Sequence, residues 1–463
     1  MIGIPLCLIA FAVTWWLAVR SLGAGLVALL SVGYAYGIAR ARFNDVGTHF
    51  LFDAALLGLY IGGFSRTMSE EIKLRSGTAM TWGVLLMAWP FVCLLYSPLI
   101  SDAQPVVVQL VGIRDSLMML PCLILGARLT REDTDTLAPG LAILNLLALG
   151  VAVLEYIYGV DKFMPENAST ALIYASMDIR TAGGTFYRLP ATFSSSHAYG
   201  GTLVLTMPFV AHGLESGRNV RILSWAGLGA AVMGTFLCGA RLPVVTLLLA
   251  TGYVLFSLRM RISTIFAFAL AGGVVAYFVT HFERFQRFTT LEDTSMIRER
   301  VGMSVSMSFF DILFNYPFGA GLASAFGTSI PYFLQSTPGI HAQIGLESEY
   351  ARLLLEEGVV GVGMWVILAT YSTFRRQQIQ YSSPTAKAFM RALVPLSWLT
   401  GLVGAGLLCS VPGSLLLFVA VGIRLTEAPS TRAQGPYRFA APRRAIPLRM
   451  EPARPLAVRQ VSR

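Results

Sequence analysis

Residues 347–371 read ESEYARLLLEEGVVGVGMWVILATY, and their pattern of charged and apolar residues predicts the class of fold. Its uncharged second half, about 14 residues, would rise about 21 Å as an α-helix. To cross a hydrocarbon core of roughly 30 Å, the helix needs about six more residues. The six residues that precede the uncharged half include Arg352, Glu356 and Glu357. Ionisable groups at that depth usually face a protein interior or a water-filled cavity. The stretch therefore predicts a membrane-spanning helix with a polar site near its outer end; a tilted span with snorkelling ends is the alternative.

Apolar runs of similar length recur along the rest of the chain. Hydrophobic residues make up 55% of the sequence, charged residues only 13%, and the mean hydropathy is +0.64. A soluble domain carries about 25% charged residues, so the composition excludes a soluble enzyme, and it excludes a disordered chain as well. The predicted spans lie at about 2–18, 22–39, 48–64, 78–96, 112–127, 138–157, 197–213, 222–239, 242–257, 262–280, 352–371, 392–409 and 411–425.

The basic end of the sequence sets the predicted orientation. Residues 424–463 contain nine arginines and two glutamates, and so carry most of the net charge of +10. The proline-rich composition of this stretch predicts disorder, and its charge suits anionic lipid headgroups at the cytoplasmic surface better than nucleic acid. With this end inside, the positive-inside rule is met by every basic cluster except that of Arg40 and Arg42.

The predicted fold is an all-α, polytopic transmembrane helical bundle of about 12–13 spans, covering residues 1–425. Two predicted external loops, at about 158–196 and 281–346, are long, and long ordered loops tend to carry function. Residues 426–463 form the predicted disordered, basic cytoplasmic tail.

Arg241 is a candidate anion-binding residue. It lies in the tight turn CGARLP between two predicted spans, on the external side, where the positive-inside rule does not explain it. A guanidinium at the mouth of a helical hairpin suits a bidentate oxyanion, phosphate above all. An interfacial arginine bound to lipid phosphate is the alternative.

Further candidates lie at the external ends of other spans. Arg188 and His197 stand at the entrance of the predicted span 197–213, where they either serve a site or are simply solvated. Arg114 and Asp115 are adjacent near the external end of another span. For this pair an internal ion pair and a functional role are equally compatible with the sequence.

Two of these places resemble motifs of the O-antigen ligase/polymerase superfamily. RLPATFSSSHAYGGTLVLTMP, which begins at Arg188, is similar to the family's pattern of an arginine, a Gly-Thr-Phe-like step and a Pro-Asn-like pair before a span. Here Ala191 takes the small-residue position and Ser196-His197 replaces the Pro-Asn-like pair. CGARLPVV resembles the family's Ser-Arg turn, with Ala240 in place of serine.

Two later stretches extend the resemblance, in the family's order. NYPFGAGLASAFG, which begins at Asn315, resembles the Pro-x-Gly-x-Gly stretch of the large periplasmic loop, and Arg298 or Arg300 fits the arginine that precedes it. ESEYARLLLEEG, which begins at Glu347, resembles the family's His-Asn-x-Tyr-Leu-x-x-Leu-x-Glu-x-Gly segment. The resemblance as a whole covers roughly residues 110–425.

The resemblance implies a glycosyltransferase-C-like enzyme, multi-pass in the bacterial inner membrane, with its active site at the periplasmic face. It implies a polyprenyl-diphosphate-linked glycan as donor and a glycan or a lipid as acceptor, with membrane lipids and polysaccharide-assembly proteins as further partners. No nucleic acid, metal or other cofactor is expected. The residues expected to bind the donor diphosphate are Arg188, Arg241, Arg298, Arg300 and Arg114.

The last motif distinguishes the ligases of the family from the polymerases. In the ligase-like pattern its first residue is histidine, the expected base or acceptor-site residue. Here that residue is Glu347, and His341 lies six residues upstream, about 9 Å along a helix. We therefore expect a polymerase of polysaccharide repeat units, with Glu347 as the leading base and Glu349 second, unless Glu347 merely caps the helix. His341 is the base in the ligase alternative. The expected supporting residues are Tyr350, Arg352, Glu356 and His197.

Three other functions compete with polymerisation. A ligase that moves the glycan to a lipid or protein acceptor shares the donor site and differs in the acceptor. A transporter or flippase of lipid-linked oligosaccharides would place charges along a central path near the midplane, whereas the charges here concentrate at external ends and loops. A non-catalytic scaffold gives no reason for half-buried charges.

Overall fold

The computed structural model describes most of the chain between residues 2 and 426. The described residues are 2–67, 69–100, 103–171, 173–174, 178–181, 184–258, 308–325, 330–346, 348–375, 383–404 and 406–426, with the single positions 273, 281, 295, 298 and 302. Met1–Glu427 forms one compact unit and Ala428–Arg463 another. The second unit, and with it the predicted disordered tail, lies outside the described residues.

Helices dominate the described part of the chain. In order they are α1 Gly3–Arg20, α2 Leu22–Phe43, α3 Val46–His49, α4 Leu51–Ser65, α5 Glu70–Arg75, α6 Gly77–Tyr96, α7 Val106–Leu117, α8 Pro121–Arg128, α9 Arg131–Tyr158, α10 Ser196–His212, α11 Arg218–Leu237, α12 Arg241–Ser257, α13 Ser308–Asn315, α14 Glu349–Phe374, α15 Pro384–Thr400 and α16 Gly413–Leu425. The predicted mostly helical architecture is confirmed. Strands β1 (Asp178–Thr181) and β2 (Gly184–Tyr187) form an antiparallel hairpin in the long loop after α9, which the all-α prediction did not include.

Seven of the described helical segments are long and apolar enough to cross a membrane, as judged by length and composition. They are α1, α2, α6 with the turn that follows it, α7 together with α8, α9, α11 and α14. Helices α4, α12 and α16 are apolar but shorter. The chain is thus a multi-pass membrane protein. The predicted span at 262–280 lies almost wholly outside the described residues, so the total of 12–13 spans stays a prediction.

Small residues let some of these helices approach closely. A Cβ atom on Gly422 of α16 would lie 2.0 Å from the carbonyl oxygen of Leu123 in α8, and one on Gly126 would lie 2.3 Å from that of Val419. Backbones meet in this way at small-residue interfaces, where no hydrophobic effect drives helices together within the lipid. The contact fixes α8 against α16 in the centre of the bundle.

The predicted span at 392–409 is wrong in its second half. Helix α15 ends at Thr400, and the described residues between Gly401 and Pro412 are non-helical. This segment is rich in glycine, which weakens a helix by about 1 kcal/mol per residue. In addition, the backbone N–H groups of Gly406 and Leu407 are bound by a carboxylate of α14. Apolar composition therefore did not produce a continuous helix here.

Helix α14 is broken at Gly358, whose φ of 70° and ψ of −175° are not helical. The loop after α13 docks on this break: Val359 N–H donates to the carbonyl of Pro317 at 3.0 Å, and Ala320 N–H donates to that of Leu355 at 2.6 Å. The loop thus supplies hydrogen bonds that the helix loses at the break. Non-helical backbone at membrane depth needs such partners within the protein.

We expect Gly358→Ala to destabilise the protein. Its backbone conformation is essentially restricted to glycine, and forcing alanine into it costs about 1–3 kcal/mol. A Cβ atom there would also lie 2.7 Å from the carbonyl carbon of Phe318, which is backbone and cannot rotate away. The matched control is Gly363→Ala in the same helix, where a Cβ meets no atom within 4 Å. The unfolding midpoint in detergent should fall for Gly358→Ala alone; equal midpoints would contradict the strained break.

Segments of both long loops lie at one end of the bundle, near the C-terminal end of α2. Gly37 N–H donates to the carbonyl of Thr192 at 3.0 Å, and the Tyr332 hydroxyl donates to that of Asn44 at 3.5 Å. We call this the loop end. Segments that are distant in sequence meet at the loop end, and the candidate site described below lies there.

Candidate functional site

Arg188, His197 and the turn that leads to Arg241 meet at the loop end. A guanidinium nitrogen of Arg188 lies 2.8 Å from Nε2 of His197. A Cβ atom on Gly239, in the turn before Arg241, would lie 3.7 Å from Cγ of Arg188. A guanidinium can only donate, so Nε2 of His197 accepts and its Nδ1 carries the proton. We call Arg188, His197 and Arg241 the basic site; the sequence predicted all three residues, and the fold brings Arg188 to His197 and to the turn that precedes Arg241.

A carboxylate that sequence reasoning missed holds the segment carrying Arg188. Glu155, at the end of α9, is buried and accepts a hydrogen bond of 2.8 Å from the N–H of Ala191. Ala191 has a φ of 51°, uncommon for a residue other than glycine. Phe193 packs edge-on against Tyr34, with ring centroids 4.8 Å apart. The sequence did contain an indication of this role, because Glu155 is a lone glutamate in an apolar run, and such a residue usually has a polar partner inside the protein.

Two helices begin at the basic site. The Ser195 hydroxyl caps the N-terminus of α10 by accepting a hydrogen bond from the N–H of Ala198. Helix α12 begins at Arg241 itself, and Ala240 before it offers no side-chain cap. The two helices are in close contact, since a Cβ atom on Gly200 of α10 would lie 3.1 Å from Cβ of Pro243 in α12. Helix N-termini carry partial positive charge, so they reinforce the preference of the arginines for an anion.

A second polar group lies inside the bundle on α14. Arg352 donates to Oε1 of Glu349 at 3.0 and 2.6 Å and to Oε2 of Glu356 at 2.6 Å. These three residues are no more than 1% exposed, and Glu357 is 2% exposed. The predicted placement of these charges in a protein interior is confirmed, and the snorkelling alternative is wrong because snorkelling would leave the charged ends in water.

Glu349 holds the segment after α15 in place through hydrogen bonds to its backbone. Its Oε2 accepts from the N–H groups of Gly406 at 2.5 Å and Leu407 at 3.1 Å, while its own N–H donates to the carbonyl of Gly401 at 2.8 Å. Both carboxylate oxygens are therefore occupied. In this arrangement Glu349 acts as a structural anchor, and its oxygens are engaged rather than open to a substrate hydroxyl.

The polar group continues onto α4 and α7. Arg114 makes a bidentate pair with Asp53 at 2.6 and 2.8 Å and contacts Asp115 at 3.1 Å. Asp115 lies within electrostatic range of Arg352 and Glu356. The structure thus places Arg114 in an internal ion pair, one of the two arrangements compatible with the sequence. We call the whole group the buried charge cluster; its members are Asp53, Arg114, Asp115, Glu349, Arg352, Glu356 and Glu357.

The segment held by Glu349 borders the basic site. A Cβ atom on Gly404 would lie 2.7 Å from Cδ2 of Leu242, the residue after Arg241. The N-terminal half of α14 is thereby linked through one short segment to the start of α12. The buried charge cluster can position the surroundings of the basic site without touching a ligand.

The other predicted residues are distributed around these two groups. His341 is exposed, and its backbone is held on both sides by the buried amide of Gln104, at 2.8 and 3.1 Å. The Tyr350 hydroxyl donates to the carbonyl of Trp398 at 3.1 Å. Arg298 is described and exposed. Glu347 and Arg300 lie outside the described residues. In the part of the chain that is described, no group of three or more His, Cys, Asp or Glu side chains could hold a metal ion.

Neither a family model nor a curated protein matches this chain in a comparison of sequences. The assignment of a function therefore depends on the geometry of the basic site and on the motifs quoted above.

Proposed function

We propose that this protein is a membrane glycosyltransferase that transfers or polymerises oligosaccharide units from a polyprenyl-diphosphate-linked donor. The observation that carries the proposal is the meeting of Arg188, His197 and the turn before Arg241 at the loop end. Cleavage of a sugar–diphosphate bond develops negative charge on the leaving diphosphate, and preorganised guanidinium groups stabilise such charge without a metal. The donor diphosphate would lie at the basic site, with its polyprenyl chain in the surrounding lipid.

The acceptor needs a base to take the proton of its hydroxyl. In the proposed step the acceptor oxygen attacks the anomeric carbon, the base takes the hydroxyl proton, and the bond to the leaving phosphate oxygen breaks. The oxygens of Glu349 are occupied by Arg352 and by backbone N–H groups. This leaves Glu347 and His341 as the candidates, and the exposed ring of His341 on an anchored backbone strengthens the second.

The choice of base separates the polymerase from the ligase. In a reconstituted assay we expect Glu347→Gln to keep donor binding and lose polymer growth, because an amide cannot take a proton at neutral pH. His341→Ala serves as the comparison and should polymerise normally. Normal polymerisation by Glu347→Gln together with loss of transfer in His341→Ala would reverse the assignment and favour an O-antigen ligase.

One observation favours a second candidate function, the transport or flipping of lipid-linked oligosaccharides. Helix α14 is broken at Gly358, next to a cluster in which two guanidinium groups face five carboxyl groups. Broken helices beside buried charges are typical of ion-coupled transporters. Proteoliposomes that move a fluorescent polyprenyl-diphosphate glycan across the bilayer without changing its chain length would support this function against transfer.

The proposed setting is the bacterial inner membrane, in O-antigen, lipopolysaccharide or exopolysaccharide assembly, with the basic site facing the periplasm and the C-terminus in the cytoplasm. In a variant without native cysteines, a cysteine at Ser336 should react with a membrane-impermeant maleimide from outside the cytoplasmic membrane. Cysteines at Ser216 and Ser430 should react only after the membrane is permeabilised. Labelling of position 430 from outside would reverse the orientation.

A further inference from the structure

A small cavity lies at the loop end, apart from the basic site. Its volume is about 50 Å³, and its lining includes His49, Phe50, Val111, Arg114, Phe333 and Leu334. A water molecule occupies roughly 30 Å³ of the liquid, so the cavity accepts a hydroxyl or hydroxymethyl group and excludes a whole ring. Any larger ligand must therefore insert one edge.

His49 gives the cavity an unsatisfied polar group. The residue is 6% exposed, and its Nε2 is buried and has no hydrogen-bond partner among the residues that the structure describes. The guanidinium groups of Arg40 and Arg114 lie within electrostatic range of the imidazole, and burial beside two cations favours its neutral form. A buried polar atom without a partner costs about 1–3 kcal/mol. A ligand hydroxyl bonded to Nε2 would remove that cost.

Aromatic rings flank the same histidine. The rings of Tyr332 and Phe333 lie 5.3 and 5.4 Å from the imidazole, and Phe50 lies 6.3 Å from Phe333. The Tyr332 hydroxyl is held by the carbonyl of Asn44 at 3.5 Å. An apolar, aromatic lining with a few polar atoms is the usual composition of a small-molecule site. Here it suits the C–H face of a sugar ring above a pocket for one hydroxyl.

The charges nearby favour a neutral ligand. Arg114 is the cation in the lining, and its guanidinium is already paired with Asp53 and Asp115. An anion would compete with two carboxylates, whereas a neutral hydroxyl needs only the neutral imidazole. The cavity is therefore matched to an uncharged, hydroxyl-bearing molecule.

We infer that the His49 cavity is a carbohydrate subsite, which receives one hydroxyl or hydroxymethyl group of a sugar whose ring lies against Phe333. The identity of that sugar as part of the acceptor glycan rests on the proposed function. The recognition chemistry itself rests on the cavity, the unpartnered nitrogen and the aromatic rim.

Binding of sugars can be measured without any transfer reaction. We would apply the full-length protein in nanodiscs to a printed panel of neutral bacterial oligosaccharides. His49→Leu removes the polar atom, and Leu334→Trp fills the cavity without altering His49. The matched control is His212→Leu, a second buried histidine, which bonds to Asp135 at 2.7 Å. Binding should fall at least 10-fold for both cavity variants and stay at the wild-type level for the control.

Two outcomes would overturn the subsite: no binding of any panel sugar by the wild type, or wild-type binding by both cavity variants. The proposed function fails separately. If sugar binding depends on His49 while the wild type transfers no glycan, the subsite stands and the glycosyltransferase does not. If Arg241→Ala loses transfer but the His49 variants bind sugar normally, the reverse holds.

Discussion

Replacement of Arg241 by alanine should lower the rate of glycan transfer by about 100-fold or more, and Arg188→Ala should do the same. Removal of one preorganised donor from a site that stabilises developing negative charge costs about 10²–10³ in rate. Both residues belong to the basic site, where Arg188 also bonds to His197. Lysine should restore little activity at either position, because it lacks the planar fork that grips two oxygens.

The measurement is turnover of a synthetic polyprenyl-diphosphate glycan by purified protein, with expression levels checked in parallel. Arg131→Ala is the matched control, because Arg131 is largely exposed and only loosely paired with Asp135 at 3.9 Å. It should transfer glycan at the wild-type rate. Wild-type turnover by Arg241→Ala would remove that residue from the donor site.

Replacement of Arg352 by methionine should cause the largest loss of stability, about 3–5 kcal/mol. The change leaves the carboxylates of Glu349 and Glu356 buried without their shared cation. The chain offers a close control in Lys73→Met. Lys73 and Glu70 also form an i, i+3 pair, at 2.7 Å, but both side chains are more than half exposed. An exposed pair contributes only about 0–1 kcal/mol.

The free energy of unfolding in detergent or bicelles measures both changes. A cycle with Glu356→Gln tests the cause, because neutralising that carboxylate should recover part of the loss when Arg352 is already methionine. Equal small effects of Arg352→Met and Lys73→Met would mean that water reaches the cluster. A structural role alone would leave the residual transfer rate per folded molecule unchanged, so activity should be normalised to folded protein.

The residues of the basic site could be predicted from the sequence, but their contacts could not. Arg241 and Arg188 were found from local signals, a cation where the positive-inside rule does not require one and an arginine before a span. That Arg188 lies across the turn before Arg241 is a contact between segments about 50 residues apart, and no spacing rule predicts it. Glu155, which holds the Arg188 segment, had a local signal too, but its partner Ala191 is recognised only in the fold.

The multi-pass helical class and the burial of the charges on α14 follow from the amino-acid sequence alone, because hydropathy and helical rise are properties of about 20 consecutive residues. Which groups the charged side chains meet depends on the tertiary structure. Arg114 pairs with Asp53, which lies 61 residues earlier in the sequence, and Glu349 binds the backbone of Gly406, which lies 57 residues later. The same holds for the break at Gly358, where a distant loop supplies the missing hydrogen bonds. Each of these features exists because a buried polar group must be satisfied by whatever the packed chain brings within reach.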